Sequence, residues 1–379
     1  MRRLKLCLSA CLLGLAAPAF AAAPHYKITL LQSLGGETVA NGVNSQGQVV
    51  GYSYDGDGGQ HGTLWQNGTV QSLTPGNYGY LNAINEQGVS AGLSQDYISD
   101  QSWLEAATTY SAGVPTLYHL GVQSYLDQFA AINDAGQAAG STKVFEGDLG
   151  YLQHATALFG SDLVDLGTLG DQGSSSGASG INNAGLVVGY SEYQHGSDLA
   201  HAFSYDANGL HDLGTMAGAY SAAYGVNDSG VIVGQSTYTS GGDATHAFAL
   251  KDGVWTDLGA LDGEGISATA WAINSTGTIV GTSQVDPADP YMLHATLWQD
   301  GQIYDLNNLI GPNSGWVLNS ANAISSNGLI VGYGVFGGQV QAFMLQAAPA
   351  PETARWALML LGFGAVGYTL RSRRTLAAG

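Results

Sequence analysis

Ile181-Asn182-Asn183-Ala184-Gly185-Leu186-Val187-Val188-Gly189, then His201-Ala202-Phe203-Ser204-Tyr205, the turn Asp206-Ala207-Asn208-Gly209, and Leu210-His211-Asp212-Leu213-Gly214 make up the stretch from which the fold is read. It holds four short runs, residues 177–181, 186–191, 201–205 and 209–213, rich in Val, Ile, Tyr and Phe and bounded by Gly, Asn, Asp and Ser. That is the composition of strands separated by turns, and none of the runs has a helical period. Asn182 to Gly185 suits a type I turn, with Asn first and Gly fourth. The Asn side chain can accept from the backbone two residues on. Asn208-Gly209 supplies residues that tolerate positive φ for a second hairpin. Two hairpins in series predict an antiparallel four-stranded sheet.

Working outward, the Asn-x-x-Gly element recurs at Asn44, Asn85, Asn133, Asn182, Asn227 and Asn274, with Ser325 as a seventh, degenerate copy. A period of roughly 40 to 50 residues with several short strands per unit marks a propeller. The glycine ending the second run also recurs, at Gly51, Gly92, Gly140, Gly189, Gly234, Gly281 and Gly332. A repeated strand glycine predicts a bulge or a close backbone approach. The third run returns as His61-Gly62-Thr63, His154-Ala155-Thr156, His201-Ala202-Phe203, His246-Ala247-Phe248, His294-Ala295-Thr296 and Gln341-Ala342-Phe343, with a blurred copy near Ala106. The fourth returns around Leu34, Leu73, Leu120, Leu166, Leu213, Leu258 and Leu306. The array starts with a fourth strand, residues 27–34, and ends with a third, residues 340–345. These two normally form one hairpin, so the N-terminal strand is expected to complete the last blade. The expectation is an all-β, seven-bladed β-propeller of four-stranded blades over residues 25–346, closed by the N-terminal strand.

The recurrent Asn-x-x-Gly-x-Val-Val-Gly, His-Ala-Phe and Asp-Leu-Gly triplets resemble the bacterial HAF-repeat family of extracellular proteins. The resemblance implies a secreted or surface repeat protein and implies no reaction.

The two ends differ from the repeats. Arg2, Arg3 and Lys5, an apolar run over residues 6–15 and Ala19-Phe20-Ala21 make residues 1–21 a signal peptide. Both cysteines, Cys7 and Cys11, lie in it, so residues 25–346 have neither disulfide nor thiol. Lys27, Lys143 and Lys251 alone of the Lys and Arg lie between 25 and 346, whereas Glu352 alone of the Asp and Glu lies outside. So acidic a domain, without clustered Lys or Arg, argues against nucleic acid as a partner. Residues 347–355 are a Pro/Ala linker. Residues 356–370 are apolar and uncharged, about 22 Å of helix at 1.5 Å per residue, short of a ~30 Å hydrocarbon core. Arginine snorkelling narrows that gap. Arg371, Arg373 and Arg374 are expected to hold the C-terminus inside. This end resembles the PEP-CTERM sorting signal of Gram-negative bacteria. Pro351 and Glu352 match its motif, Thr353 stands where a second Pro is expected, and Trp356-Ala357-Leu358 opens a Gly-containing segment. The resemblance implies a C-terminal membrane helix and basic tail over 356–379, an exosortase-like processing partner, inner-membrane anchoring, and release to the cell surface or matrix, often in makers of exopolysaccharide.

Candidate chemistry is thin. His61, His154, His201, His246 and His294 fall in different blades, so they are spread around the ring, whereas a zinc site needs converging ligands. They and Asp165, Asp212, Asp257 and Asp305 read as structural hydrogen-bonding residues. Asp55-Gly56-Asp57-Gly58-Gly59 resembles a fragment of a calcium loop but lacks the further oxygen ligands and closing Glu of a full one. Asp55 and Asp57 are thus the alternative to having no cofactor at all. The connections 52–60, 95–104, 142–153 and 307–320 are long, share one face, and together with Tyr97, Tyr193, Tyr238 and Tyr291 make that face the expected site for a polysaccharide or protein ligand. No carboxylate pair stands out for glycoside hydrolysis. The function expected is a non-enzymatic exported binding or structural module, with a propeller-type polysaccharide hydrolase or lyase as the alternative.

Overall fold

The four runs of the central repeat are strands Ser176–Ile181, Val187–Glu192, Ala200–Asp206 and Gly209–Gly214, paired antiparallel in that order. In a computed structural model, residues 24–74, 78–99, 102–118, 127–193, 199–238, 244–261 and 265–348 are described. The expected signal peptide, the expected linker from residue 349 onward, and the tail with Pro351, Glu352, Trp356, Arg371, Arg373 and Arg374 lie outside them, whereas residues 347 and 348 of that linker belong to the last strand. Among the described residues there is no α-helix, and the strands form seven four-stranded sheets. The protein is an all-β, seven-bladed propeller.

Blades 1 to 6 take consecutive strands from residues 35–72, 79–118, 128–167, 176–214, 221–259 and 268–305. Blade 7 takes three strands from residues 316–348 and His25–Leu30 as its fourth, hydrogen-bonded to Gln339–Ala348. The expected closing strand, 27–34, is displaced toward the N-terminus. Ser33 Oγ accepts from the Gly35 amide at 3.2 Å, a local turn that ends the strand. Leu34 instead bridges Asp55 and donates its amide to Ser53 Oγ at 2.9 Å. Tyr26 and Ile28 pack against the core cluster that holds Leu306, Leu309 and Ile310, and the Tyr26 amide donates to the Leu309 carbonyl at 2.9 Å, so part of the expected 307–320 loop is core rather than free surface.

The hairpin turns behave as their residues predict. In the central turn the Gly185 amide donates to the Asn182 carbonyl at 3.0 Å. The apolar layers lie between blades. Phe203 is fully buried against Ala139, Ala155 and Ala157 of blade 3 and Ala178 and Val187 of its own blade. Small residues let neighbouring sheets approach, and the ring fills the gap, a burial of roughly 1.5–3 kcal/mol. Phe248 and Phe343 repeat the arrangement.

The recurrent strand glycines have one cause. In every blade the first strand carries a bulge, at Asn41, Asn82, Ala130, Ser179, Tyr224, Trp271 and Asn322. The glycine of the second strand sits opposite the residue just before the bulge. A Cβ on Gly140 would lie 1.9 Å from the Gln128 carbonyl oxygen, and one on Gly281 1.9 Å from that of Thr269. The bulge pushes backbone into space that only glycine leaves free.

Three of the expected long loops are mostly strand. Val49–Asp55 with Gln60–Gln66, Ser90–Ser99 with Ser102–Ser111, and Ala138–Phe145 with Tyr151–Phe159 continue as hairpins beyond the body of their blades. Their β-rich residues, among them Tyr52, Tyr54, Val144 and Phe145, extend the ladder where only turn chemistry had been expected.

Candidate functional site: the central channel

The first strands surround the axis and set three levels along it. At the level of the tight turns, the Asn residues tie each blade to the next. Nδ2 of Asn44, Asn85, Asn133, Asn182 and Asn227 donates to the backbone carbonyl of the next turn Asn at 2.9–3.1 Å. Asn274 reaches the Ser325 carbonyl at 3.3 Å. Asn327 closes the circle by donating to the Ser45 carbonyl at 2.9 Å. The same side chains hold their own turns: Asn182 Oδ1 accepts from Ala184 and Leu186, both at 3.0 Å.

One residue further on, the mouth is acidic. Asp134 Oδ1 accepts the Glu86 amide at 2.9 Å, and Asp228 Oδ1 accepts the Asn183 amide at 2.9 Å. Asn183 Nδ2 bridges Asp134 and Asp228 at 3.0 Å each. Glu86 accepts from the Ser45 amide and hydroxyl, and at 3.4 Å from Ser326 Oγ. These carboxylates complete inter-blade bonds around an opening of about 240 Å³.

Above the turns, Ile84, Ile181, Val226 and Ile273 line both this opening and a second chamber of about 250 Å³. All seven bulge residues line that second chamber. They divide it into unlike sides. Asn322, Asn41 and Asn82, in blades 7, 1 and 2, donate to the carbonyls of Ala40, Leu81 and Phe129 at 2.9–3.0 Å. Across the axis, in blades 5 and 6, Tyr224 and Trp271 lie with ring centroids 4.6 Å apart, tilted by 53°. Both rings are held. Gln235 Nε2 donates to Tyr224 Oη at 3.1 Å and to Tyr220 Oη at 3.3 Å. Gln235 Oε1 accepts from Thr269 at 2.7 Å and Thr245 at 3.3 Å, and Trp271 Nε1 donates to Thr282 Oγ1 at 3.1 Å. Burial, then the neighbouring Tyr220, pushes the Tyr224 hydroxyl far above its ordinary range, so it stays neutral. Ala130 and Ser179 leave the arc between them open.

The repeated His and Asp residues pair with one another. Nδ1 of His154, His201, His246 and His294 bonds Asp165, Asp212, Asp257 and Asp305 at 2.8–3.0 Å. Three of these carboxylates also accept the amide of the glycine two residues on, at Gly167, Gly214 and Gly259. Each pair pins a third strand to the fourth strand of its blade. His154 is buried, with Asp165 on Nδ1 and Glu146 Oε1 3.4 Å from Nε2. The Asp165 hydrogen bond raises its pKa against burial, with both carboxylates adding charge attraction. Burial pushes Asp165 upward, but the His154 and Gly167 bonds outweigh it and the pKa falls.

Asp55 serves its own turn. Its Oδ1 accepts the amides of Asp57 and Gly59 at 2.9 and 2.8 Å, and its Oδ2 bonds His61 Nε2 at 2.8 Å. The Asp57 carboxylate is not brought to it by any second acidic partner among these bonds. Among the described residues no group of three or more His, Cys, Asp and Glu side chains could hold a metal ion. Of the outer-face tyrosines, Tyr238 stacks on His246 at 3.6 Å and Tyr193 tilts over His201 at 4.4 Å. Tyr291 is 88% exposed, and the side chain of Tyr97 lies outside the described residues.

The bulge residues were missed in the sequence, although a signal exists. Each stands three positions before the turn Asn or Ser325, and it varies while its neighbours repeat: small before and after, then Val or Ile in most copies.

No protein-family model and no curated protein matches this chain. Among solved structures it is similar to the beta-propeller domain of the Trilobed protease from Pyrococcus furiosus, at 9% identity and a TM-score of 0.51, over 85% of this chain and 97% of that one. That domain is described as having an open velcro topology, whereas here the first strand is paired within the last blade. A mutant Aleuria aurantia lectin in complex with alpha-methyl-L-fucoside aligns at 12% identity and a TM-score of 0.35, over 86% of this chain and 95% of that one. The first likeness is one of fold alone, and the second carries no argument.

Proposed function

We propose that this protein is an exported, non-enzymatic binding module of the cell surface or extracellular matrix. In this reading residues 1–21 direct export, residues 356–370 hold the chain in the inner membrane, and Arg371, Arg373 and Arg374 keep the C-terminus inside. Pro351-Glu352 is then the processing point for an exosortase-like partner, with release linked to exopolysaccharide. Among the described residues no helix is long and apolar enough to cross a membrane, and the proposed membrane segment lies outside them. The support for it is the sequence: an uncharged apolar stretch followed at once by three arginines.

One observation carries the binding assignment. The polar residues that repeat are committed to the scaffold, the turn asparagines between blades and the His–Asp pairs within them, while the seven bulge positions, of five residue types, converge on one chamber. Repetition serves the scaffold and variation serves recognition, which is how a fold hosts a site without dictating it. The test is a glycan and matrix-polymer array with the released protein, run beside reducing-sugar release from the same polymers. Binding without release supports the module. Release of new reducing ends moves the assignment to a hydrolase, and new unsaturated ends move it to a lyase.

A further inference from the structure

We propose that the chamber at the bulge level binds a single neutral sugar residue, with Tyr224 and Trp271 as its stacking wall and Asn41, Asn82 and Asn322 as its polar wall. This rests on the binding-module reading and names the site and ligand class within it. Four observations lead there.

The first is the pairing of surfaces. A sugar ring has one face of C–H groups and a rim of hydroxyls, so it needs an aromatic side and a hydrogen-bonding side. Seven-fold geometry sets the seam between blades 5 and 6 across from blade 2, so Tyr224 and Trp271 face Asn82. The three asparagines use Nδ2 on neighbouring carbonyls. This fixes their orientation; Asn322 Oδ1 already accepts from Ser320 Oγ and Asn41 Oδ1 from Asn322 Nδ2, so Asn82 Oδ1 is the acceptor assigned to a sugar hydroxyl.

The second is preorganisation. Gln235, Thr269 and Thr282 lock both aromatic rings, so little side-chain freedom is lost on binding.

The third is charge. Among the described residues no charged side chain lines the chamber. At the turn-level mouth of the same channel, Glu86, Asp134 and Asp228 line the opening. Anionic sugars are repelled at the entrance and find no cation inside, which leaves neutral ones.

The fourth is size. About 250 Å³ falls below the ~300–1,000 Å³ of pockets for drug-sized ligands, so one residue fits and an oligomer does not. The open arc at Ala130 and Ser179 gives the ring room to enter.

The experiment uses the methyl glycosides of glucose, galactose, mannose and N-acetylglucosamine, with methyl glucuronide as the anionic control, titrated calorimetrically. The expected result is saturable binding of at least one neutral glycoside and none of the glucuronide. Trp271→Ala should weaken that binding at least tenfold. Ala130→Phe fills the chamber without removing any of the named contacts, and should abolish it. Circular dichroism and melting must show both variants folded. Tyr291→Ala, on the outer face, should bind like the parent. Neutral-glycoside binding that survives Ala130→Phe but is lost in Tyr291→Ala overturns the chamber and leaves the module reading standing. Preference for the glucuronide, or binding only of a protein or charged polymer in the array, also overturns the chamber alone. Failure to bind any sugar, polymer or protein tested overturns both.

Discussion

Two rings of side chains circle the same channel a few residues apart. The turn ring is nearly uniform, six asparagines and Ser325, each bonded to its neighbour. The bulge ring has Asn, Ala, Ser, Tyr and Trp in the equivalent positions and surrounds open space. Both arise from the same strand in every blade, so topology does not distinguish them. What differs is how many seams each ring spans: the six turn asparagines each donate to the next blade, whereas in the bulge ring Asn322, Asn41 and Asn82 alone are bonded to a carbonyl of the next blade. Where a side chain meets a blade, one residue type satisfies every seam, because a buried carbonyl without a donor costs about 1–3 kcal/mol. At the other four bulge positions, Ala130, Ser179, Tyr224 and Trp271, the fold imposes no such requirement. A symmetrical scaffold thereby presents an asymmetrical interior.

The comparison predicts a ladder of effects. The largest should come from the strand glycines that make room for the bulge ring. Gly140→Ala sets a Cβ 1.9 Å from backbone oxygen, and we expect loss of the folded state or a cost on the order of 4 kcal/mol, read by urea denaturation. Next is the turn ring. Asn182→Ala removes one inter-blade and two turn bonds and should cost about 2–4 kcal/mol. Asn182→Ser should cost less, because the Ser325 hydroxyl already accepts the Leu329 amide at 2.9 Å in the seventh turn. Equal costs for Ala and Ser would show that the turn bonds contribute nothing.

A smaller effect should come from the strand-pinning pairs. His154 has a raised pKa in the folded state. Its stabilisation is therefore fully present below the unfolded value of about 6.5 and is lost as pH rises through the folded value. Asp165 is depressed, so its contribution is present above about 3.9 and is lost as pH falls through its folded value. The parent should lose more thermal stability between pH 6 and pH 8 than His154→Gln does, by roughly 1–2 °C. Equal losses would mean that the pair does not titrate with folding. The smallest effect belongs to the bulge ring itself. Ser179→Ala should change stability by no more than ~0.5 kcal/mol. A large loss there would erase the distinction between the rings.

The blade count, the four strands per blade and the out-of-phase ends were legible because they depend on motifs that recur in order. The Asn-x-x-Gly turn, the His-Ala-Phe strand and the strand glycine each announce a local conformation, and Gly140 behaves as a recurrent strand glycine should. Two things were not legible. The Asn was read as a turn residue, and its donation to the next blade is a contact between residues 41 to 51 apart that no local pattern contains. The bulge ring was invisible for the opposite reason. Its members share no chemistry, and only the three-residue offset from the turn links Asn41 to Trp271. Strand ends also moved, because Ser33 ends the closing strand early and the hairpin at Ala138–Phe145 runs on past its blade.

The strand His25–Leu30 completes a sheet whose other members end at Ala348, and the Ala342 amide donates to Thr38 Oγ1 across 304 residues of chain. Sequence separation of that kind sets a timetable. The earliest strand to emerge during synthesis must wait for the last, carrying an unsatisfied edge throughout. Blades 1 to 6 can zip up in order from neighbours already present, but the circle locks only when both ends are in hand. Any partner that captured the N-terminal strand in the interval, including a second nascent copy, would compete directly with completion of the ring.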